Sequence, residues 1–165
     1  MYTIVPEGVT DVTKYVEDLL LAWDVGEVVP FAQVDTSTNK AVGATRYMTL
    51  REAPGRAFPF ALEIGGTWLG PGAQRTGINT EAKFLLLEQA FESWDVARVD
   101  LKTDARNERS RAAIARVGAH FEGVMRQWQP SLVRGEEGLF RDTAMFSIVR
   151  DDWPRVRDHL ATLLA

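Results

Sequence analysis

The hydrophobic residues of this chain recur with periods that change along its length, and each change predicts an element of secondary structure. Apolar residues at helical spacing begin after Thr10 or Asp11, either of which can cap a helix that ends near Gly26. Shorter segments, bounded by turn residues such as Pro54 and Gly55, are typical of strands. The predicted strands are residues 28–35, 41–50, 58–69, 97–103, 119–129 and 140–149. Further helices are predicted over residues 78–94, from a cap at Asn107 to a stop at Gly118, and from about Asp151 onward.

The order of these elements predicts the architecture. The order along the chain is a helix, three antiparallel strands, a helix, a strand, a helix, two strands and a last helix. This order indicates an α+β (mixed α/β) chain, with helices packed on the faces of one sheet. No repeated unit and no low-complexity segment interrupts this series. Residues 1–165 are therefore expected to form a single domain.

Composition narrows the chemistry that the chain can perform. The 165 residues are 45% hydrophobic and 25% charged, which suffices for a core without a disulfide or metal. The chain has no cysteine and only two histidines, so disulfide scaffolds, thiolate nucleophiles and a metal site are not expected. A net charge of -4 argues against a nucleic-acid binder. Residues 1–8 do not resemble a signal peptide and no apolar run could span a membrane, which predicts a cytoplasmic protein with no membrane contact.

Residues 70–77 form a loop rich in glycine between a predicted strand and a predicted helix. Backbone N–H groups and the helix dipole make such a loop suitable for phosphate. A dinucleotide fingerprint starting at Gly70 fails because Arg75 occupies the position of its third glycine. A Walker loop over the same segment fails because Ile78 and Asn79 stand where lysine and a hydroxyl residue are required. From the residues alone, an ordinary turn and a phosphate-binding loop both remain open.

Two groups of motifs resemble those of GNAT acetyltransferases. The first is Gln74-x-x-Gly77 after a strand, with Asn79-Thr80-Glu81-Ala82 opening a helix. The second extends from Lys102 through Asn107 and Ser110 to Gly118-Ala119, and continues with Glu122-Gly123 and Arg141-Asp142-Thr143. It is similar to the RimJ/RimL-type branch, which N-acetylates ribosomal proteins and other amines. The resemblance runs from about residue 28 to the C-terminus. It implies a GNAT (acyl-CoA N-acyltransferase) fold, whose mostly antiparallel sheet splays between two parallel central strands.

The resemblance implies acetyl-CoA as the cofactor and assigns its contacts. The end of the third strand would bind the pantetheine arm as another strand would, and the loop would bind the pyrophosphate. Asn107 would bind the pantetheine arm, although an asparagine at a helix start is equally expected merely to cap it. The implied cofactor-binding residues are Thr67, Trp68, Leu69, Gln74, Arg75, Thr76, Gly77, Ile78, Asn79, Thr80, Asn107, Arg109 and Ser110.

The implied reaction is direct attack of a neutral amine on the acetyl thioester, with backbone N–H groups stabilising the oxyanion. Many family members place a tyrosine, as the acid, seven residues after the asparagine, where this chain has Ile114. RimL-like members offer a serine three residues after it, and Ser110 occupies that position. Ser110 is thus the candidate acid for the leaving thiolate, with a spectator on the helix surface as the alternative.

The base that accepts the proton of the amine is less directly indicated. Some family members use an acid at the position that corresponds to Gln129, which cannot accept a proton. Glu63, on the strand beside the splay, is the best remaining carboxylate, and His120 and Glu122 are alternatives. The residues expected to line the acceptor side are Arg46 and Trp128, with packing as the other role for the tryptophan.

Three functions follow from these patterns. The first is transfer of acetyl from acetyl-CoA to a primary amine, either a protein N-terminus or a small molecule. The second, motivated by Gln129, is a domain that binds acyl-CoA as a sensor without turnover. The third is a nucleotide-binding protein that uses the same loop.

The start of the chain differs from that of the family. Members normally have a strand and a helix before the helix that begins here near Asp11, and both are missing. A truncated or misassigned start is one explanation. An open sheet edge that a partner subunit fills, as in a homodimer, is the other.

Overall fold

The computed structural model describes residues 5–165, and a six-stranded mixed sheet forms its centre. The first four residues, which belong to the segment that predicts the absence of a signal peptide, lie outside the described part. The strands are Val28–Asp35 (β1), Lys40–Arg51 (β2), Ala61–Leu69 (β3), Arg98–Asp104 (β4), His120–Pro130 (β5) and Phe140–Val149 (β6). The helices are Gly8–Asp24 (α1), Ile78–Glu88 (α2), Glu108–Val117 (α3) and Trp153–Leu164 (α4).

The strand order is β1-β2-β3-β4-β6-β5. Only β3 and β4 run parallel to each other, because α2 crosses between them, and the other neighbours are antiparallel. This confirms the predicted mixed sheet with two parallel central strands. β1 and β5 are its edge strands.

The main core lies on one face of the sheet. Alternate residues of the strands point to this face, among them Leu62 of β3, Val99 and Leu101 of β4, and Ile148 of β6. Helices α2, α3 and α4 cover them with their own buried apolar residues. The hydroxyl of Tyr47 crosses this layer and donates a 2.6 Å hydrogen bond to a carbonyl of α2.

Helix α1 lies on the opposite face. Its Tyr15 meets Trp68 of β3 edge to face, with ring centroids 6.0 Å apart, whereas the neighbouring Thr67 points toward α2. Successive strand residues point to opposite faces, so α1 and α2 are on different sides, and helices occupy both faces as predicted. No residue of α1 is fully buried. None of the helices within residues 5–165 has the length and apolar character of a bilayer-spanning segment.

Three predicted boundaries are wrong. α1 begins at Gly8, so Thr10 and Asp11 lie inside the helix rather than at its cap. β3 begins at Ala61 rather than at residue 58, because Phe58 leaves the sheet to stack on Trp94 at 5.5 Å. The helix predicted over residues 78–94 is α-helical only to Glu88.

That helix continues as a π-helical turn, Gln89–Ser93, in which Ala90 and Phe91 are buried. The wider turn lets the ring of Phe91 stack on Trp153 of α4 at 5.4 Å. Smaller differences occur at the ends of β2 and β5, and a short 3-10 turn, Arg150–Asp152, precedes α4.

Candidate active site

The two parallel strands separate shortly after they begin to pair. Their register contains only three pairs, which join Ala61 to Arg98, Leu62 to Val99, and Glu63 to Asp100. Beyond Glu63, β3 runs on to Leu69 while β4 pairs only with β6. The facing backbone groups of β3 and β4 are therefore available to a ligand that lies between the strands like another strand.

β3 also carries a bulge beside this opening. Ala44 of β2 pairs with Trp68, and Arg46 pairs with Gly65, so two residues of β3 face one residue of β2. Gly66 in the bulge has φ +58°, a left-handed conformation that favours glycine. The bulge turns the backbone of β3 at the point where the opening begins to widen.

Arg46 lies directly on this bulge. A Cβ atom at Gly66 would stand 2.7 Å from Nε and 2.8 Å from Cζ of Arg46, so the glycine makes room for the guanidinium. In the described part of the chain, Nε of this arginine is buried without a hydrogen-bond partner. The predicted acceptor-side arginine is thus beside the opening.

Glu63 lies on the same face of the sheet, at the last residue pair before the splay. Its side chain is buried, and Nζ of Lys102 crosses from β4 to within 2.9 Å of its Oε2. The hydroxyl of Thr49 donates a 3.1 Å hydrogen bond to the same oxygen. The candidate base is therefore held in place by one cation and one hydroxyl. The sequence patterns did not predict the lysine, because its partner lies on another strand that is distant along the chain.

The alternative bases lie elsewhere. Glu122 is on β5, where its carboxylate accepts hydrogen bonds from Ser147 at 2.5 Å and from Arg98 at 2.9 Å, which hold its pKa below the usual range. His120 is exposed at the start of the same edge strand. Neither stands on the strands that form the splay.

The glycine-rich loop packs against the end of β3. The amide of Gln74 donates to the carbonyl of Leu69 at 2.9 Å and accepts from Nη2 of Arg109 at 2.7 Å, which ties the loop to β3 and to α3. Thr76 donates to the carbonyl of Ala73 at 2.7 Å. Arg75 is exposed, with φ +65°.

The loop leads into the N-terminus of α2. Gly77 is its N-cap and makes no side-chain cap, and the N–H of Ile78 makes a long, 3.4 Å hydrogen bond to the hydroxyl of Thr76. The N–H groups of the first turn, at Ile78, Asn79 and Thr80, have no carbonyl partner within the helix, and the helix dipole places partial positive charge there. A Cβ at Gly77 would meet no atom within 4 Å. The loop and the start of the helix thus form a surface with N–H donors and partial positive charge, suited to an anion, at the end of the splay.

Asn107 and Ser110 stand at the start of α3. The side-chain oxygen of Asn107 accepts a 3.1 Å hydrogen bond from the backbone N–H of Ser110, so Asn107 caps the helix. No residue in the described range 5–165 accepts from its side-chain N–H groups, which leaves them for another partner. Both side chains are half-buried.

Trp128 is not near the other predicted acceptor residue. It lies half-exposed on edge strand β5, and Arg46 lies on β2. Four strand spacings separate β5 from β2, or roughly 19 Å across a sheet. One small amine would not contact both side chains.

Two side-chain arrangements are absent from the sequence-based predictions. The first centres on Lys83, which α2 carries on its buried face between Thr80 and Leu87. The spacing of three and four residues places all three on one side of the helix, a signal that the sequence does contain. The second is an ion-paired link to the loop between β5 and β6.

That link is made by Arg106, which follows β4. Its guanidinium bonds Asp104 at 2.7 Å and both carboxylate oxygens of Glu136 at 2.7 and 2.9 Å. The arginine lowers the pKa of Asp104, and together with a hydrogen bond from Ser131 it lowers that of Glu136 to about 2. The loop is thereby fastened to the end of β4. No cluster of potential metal ligands occurs within residues 5–165.

Comparison with known proteins agrees with this geometry. The family model described as the acetyltransferase (GNAT) domain matches residues 3–120. A GCN5-related N-acetyltransferase from Brucella melitensis superposes with a TM-score of 0.83 at 27% identity, over 100% of this chain and 69% of that one. A T. thermophilus protein described as an acetyltransferase gives 0.79 at 30% identity, over 100% and 80%.

RimJ from Mycobacterium smegmatis, in complex with CoA-disulfide, gives a TM-score of 0.73 at 21% identity, over 93% of this chain and 68% of that one. At that identity the likeness concerns the fold. No match was found among curated proteins. The matched domain covers most of the chain and the sheet has the corresponding splay, so this chain belongs to the GNAT family of acetyl-CoA-dependent N-acetyltransferases.

Proposed function

We propose that this protein transfers the acetyl group of acetyl-CoA to a primary amine, either a protein N-terminus or a small molecule, by direct attack through a tetrahedral intermediate. The observation that carries the proposal is the splay. The pairing of β3 and β4 stops at Glu63, and the opening leads to the N-terminus of α2. A donor with an amide-rich arm and a pyrophosphate fits these two features in that order.

The donor would lie along β3 and end on the loop. Backbone groups of Thr67, Trp68 and Leu69 would bond the pantetheine arm, and the free amide N–H groups of Asn107 would bond it from α3. The pyrophosphate would meet the N–H groups between Gln74 and Thr80, which glycine at position 77 leaves accessible. Arg109 holds Gln74 in place and adds positive charge nearby.

The chemical step needs an oxyanion site, a base and an acid. The bulge of β3 would direct backbone N–H groups at the thioester oxygen. Glu63 would accept the proton of the amine, directly or through a water, since it is the buried carboxylate of β3 where the splay begins. The buried carboxylates of β4, Asp100 and Asp104, are instead held by arginines. Ser110 would protonate the leaving thiolate from the start of α3.

The donor site is tested by a matched pair of substitutions at one position. Gly77→Ala should leave CoA affinity close to that of the wild type, because the added methyl group meets no atom and φ is −68°. Gly77→Asp should abolish binding by placing a negative charge against the pyrophosphate. Titration calorimetry with CoA measures both. Equal affinities for the two variants would show that the loop does not bind the donor.

The catalytic roles are tested by kinetics. Glu63→Gln should lower kcat most at low pH, where the amine most needs a base, and Ser110→Ala should lower kcat with little change in CoA affinity. A serine variant with an unchanged rate would remove the acid role. A glutamine variant whose loss of rate is the same at every pH would remove the base role.

We further propose that the acceptor amine is of the class that RimJ/RimL-type enzymes acetylate. This proposal is supported by the motif at Asn107 and Ser110 and by the likeness of the fold to RimJ. A panel of peptides with N-terminal alanine or serine and of small polyamines would identify the class.

CoA binding without turnover of any amine would favour the sensor. Thermal stabilisation by ATP or NAD and none by CoA would favour the nucleotide-binding alternative. The homodimer and the cytoplasmic location stay predictions.

A further inference from the structure

Lys83 is a buried amine to which the proposed reaction assigns no role. The residue is 5% exposed, and it forms no ion pair with a carboxylate of residues 5–165. An ammonium group in such a place loses its hydration without the compensation that a paired charge provides. Methionine would fill similar space without this cost, so packing alone does not account for a lysine here.

The amine is bonded to two hydroxyls instead. Nζ of Lys83 donates to Oγ1 of Thr67 at 2.7 Å and to Oγ1 of Thr45 at 3.1 Å. The two hydroxyls are 2.9 Å apart, and each lies 3.5 Å from the carbonyl oxygen of Gly65. One side chain of α2 thereby connects β2 with β3.

This connection spans the bulge of β3. Thr67 is one of its two bulged residues, and Thr45 is the single residue of β2 that faces them. The backbone held in this way is the part of β3 that would face the acetyl thioester in the proposed function. The amine therefore stands behind the proposed oxyanion site, on the opposite side of the strand from Arg46.

We propose that Lys83 is a positioning residue for acyl transfer. Its ammonium group, acting through Thr67 and Thr45, fixes the bulge and places a positive charge behind the backbone N–H groups that would receive the oxyanion. This inference rests on the proposed function, since it assumes that the acetyl thioester binds at the bulge.

The charge of this amine changes within the range of ordinary assays. Burial lowers the pKa of Lys83 from 10.5 to about 7. The amine bonds the neutral hydroxyls of Thr45 and Thr67, no carboxylate of residues 5–165 forms an ion pair with it, and burial is the cause of the shift. The ammonium form predominates below pH 7 and the neutral amine above it.

The test compares Lys83→Met with the wild type in acetyl-CoA consumption, with an N-terminal alanine peptide as the acceptor. Where the peptide is not accepted, hydrolysis of acetyl-CoA is the probe. We expect kcat to fall roughly 10-fold at pH 6, with the KM for acetyl-CoA changed by less than about 2-fold. Lys40→Met, on an exposed lysine at the start of β2, is the matched control and should behave as the wild type.

The pH dependence separates positioning from packing. The ratio of wild-type kcat to that of Lys83→Met should decrease between about pH 6 and pH 8.5, because the wild type loses its charge over this range. The ionisation of the acceptor amine cancels in this ratio. A ratio that stays constant with pH, or that equals one, would overturn the inference.

A second variant covers the case in which Lys83→Met does not fold. Thr45→Val removes one partner of the amine and keeps its charge, and it should lower kcat at constant KM. An unchanged kcat would overturn the inference as well. If the wild type neither binds CoA nor consumes acetyl-CoA, the proposed function fails first. If the wild type is active and these variants match it, only the role of Lys83 fails.

Discussion

Replacing Lys83 by methionine should stabilise the protein at neutral pH, and the gain should shrink as the pH rises. The pKa of this amine is 10.5 in the unfolded chain and about 7 in the fold, where burial disfavours the charged form. Since one pKa unit corresponds to about 1.4 kcal/mol, the shift amounts to about 5 kcal/mol between the two protonation states.

The sign follows from proton binding. Below pH 7 both states carry the proton, so the full penalty for burying the charge acts on the folded protein. Between pH 7 and 10.5 the unfolded chain binds the proton and the folded protein does not, so wild-type stability rises with pH. Above 10.5 neither state binds it and the penalty is gone. From pH 7 to pH 9 this group alone should add about 2 kcal/mol to the free energy of unfolding.

Urea unfolding of the wild type and Lys83→Met at pH 7 and pH 9 measures this contribution of Lys83 to the free energy of unfolding. The contributions of the other titrating groups are shared by the two proteins, so they cancel when one free energy is subtracted from the other. The advantage of the methionine variant should be about 2 kcal/mol smaller at pH 9 than at pH 7. Lys40→Met should follow the wild type at both values. A difference between wild type and Lys83→Met that is the same at pH 7 and pH 9 would refute the reasoning. A variant that is more stable but slower would place Lys83 among residues whose function opposes stability.

Two further predictions concern the bulge and the β5–β6 loop. Gly66→Ala should destabilise the protein by roughly 1–3 kcal/mol and lower activity, because the methyl group collides with the arginine from β2 and φ is +58°. Gly72→Ala, where nothing lies within 4 Å, is the control, and chemical denaturation that gives equal midpoints would contradict the packing argument. Arg106→Gln should release the loop from β4 and accelerate cleavage by trypsin after the exposed Arg134. An unchanged cleavage rate would show that the ion pairs do not fasten the loop.

Much of the architecture could be predicted because it depends on residues that are close together in the sequence. The alternation of periods placed all six strands, and a glycine-rich loop between a strand and a helix marked the proposed donor site. The cap at Asn107 and the left-handed stop at Gly118 were likewise visible as residue types. These features depend on neighbours a few residues apart.

The rest depends on contacts between distant segments. In the π-helical turn after Glu88, Phe91 packs on Trp153 of the last helix, and no local pattern distinguishes this turn from a continuing α-helix. The pairing of Lys102 with Glu63 requires the splay to bring two strands to that separation. Lys83 is the intermediate case, since its helical spacing predicts burial but only the folded sheet shows the hydroxyls that receive it.

The three residue pairs between β3 and β4 divide the sheet into two three-stranded halves, β1-β2-β3 and β4-β6-β5. An acyl donor bound along the gap would supply hydrogen bonds across it, so the donor would complete the sheet as well as react. Its binding would add RT ln(1 + [donor]/Kd) to the free energy of unfolding. The population of the unfolded protein would then fall as the concentration of acetyl-CoA rises, and resistance to proteolysis through that state would rise with it.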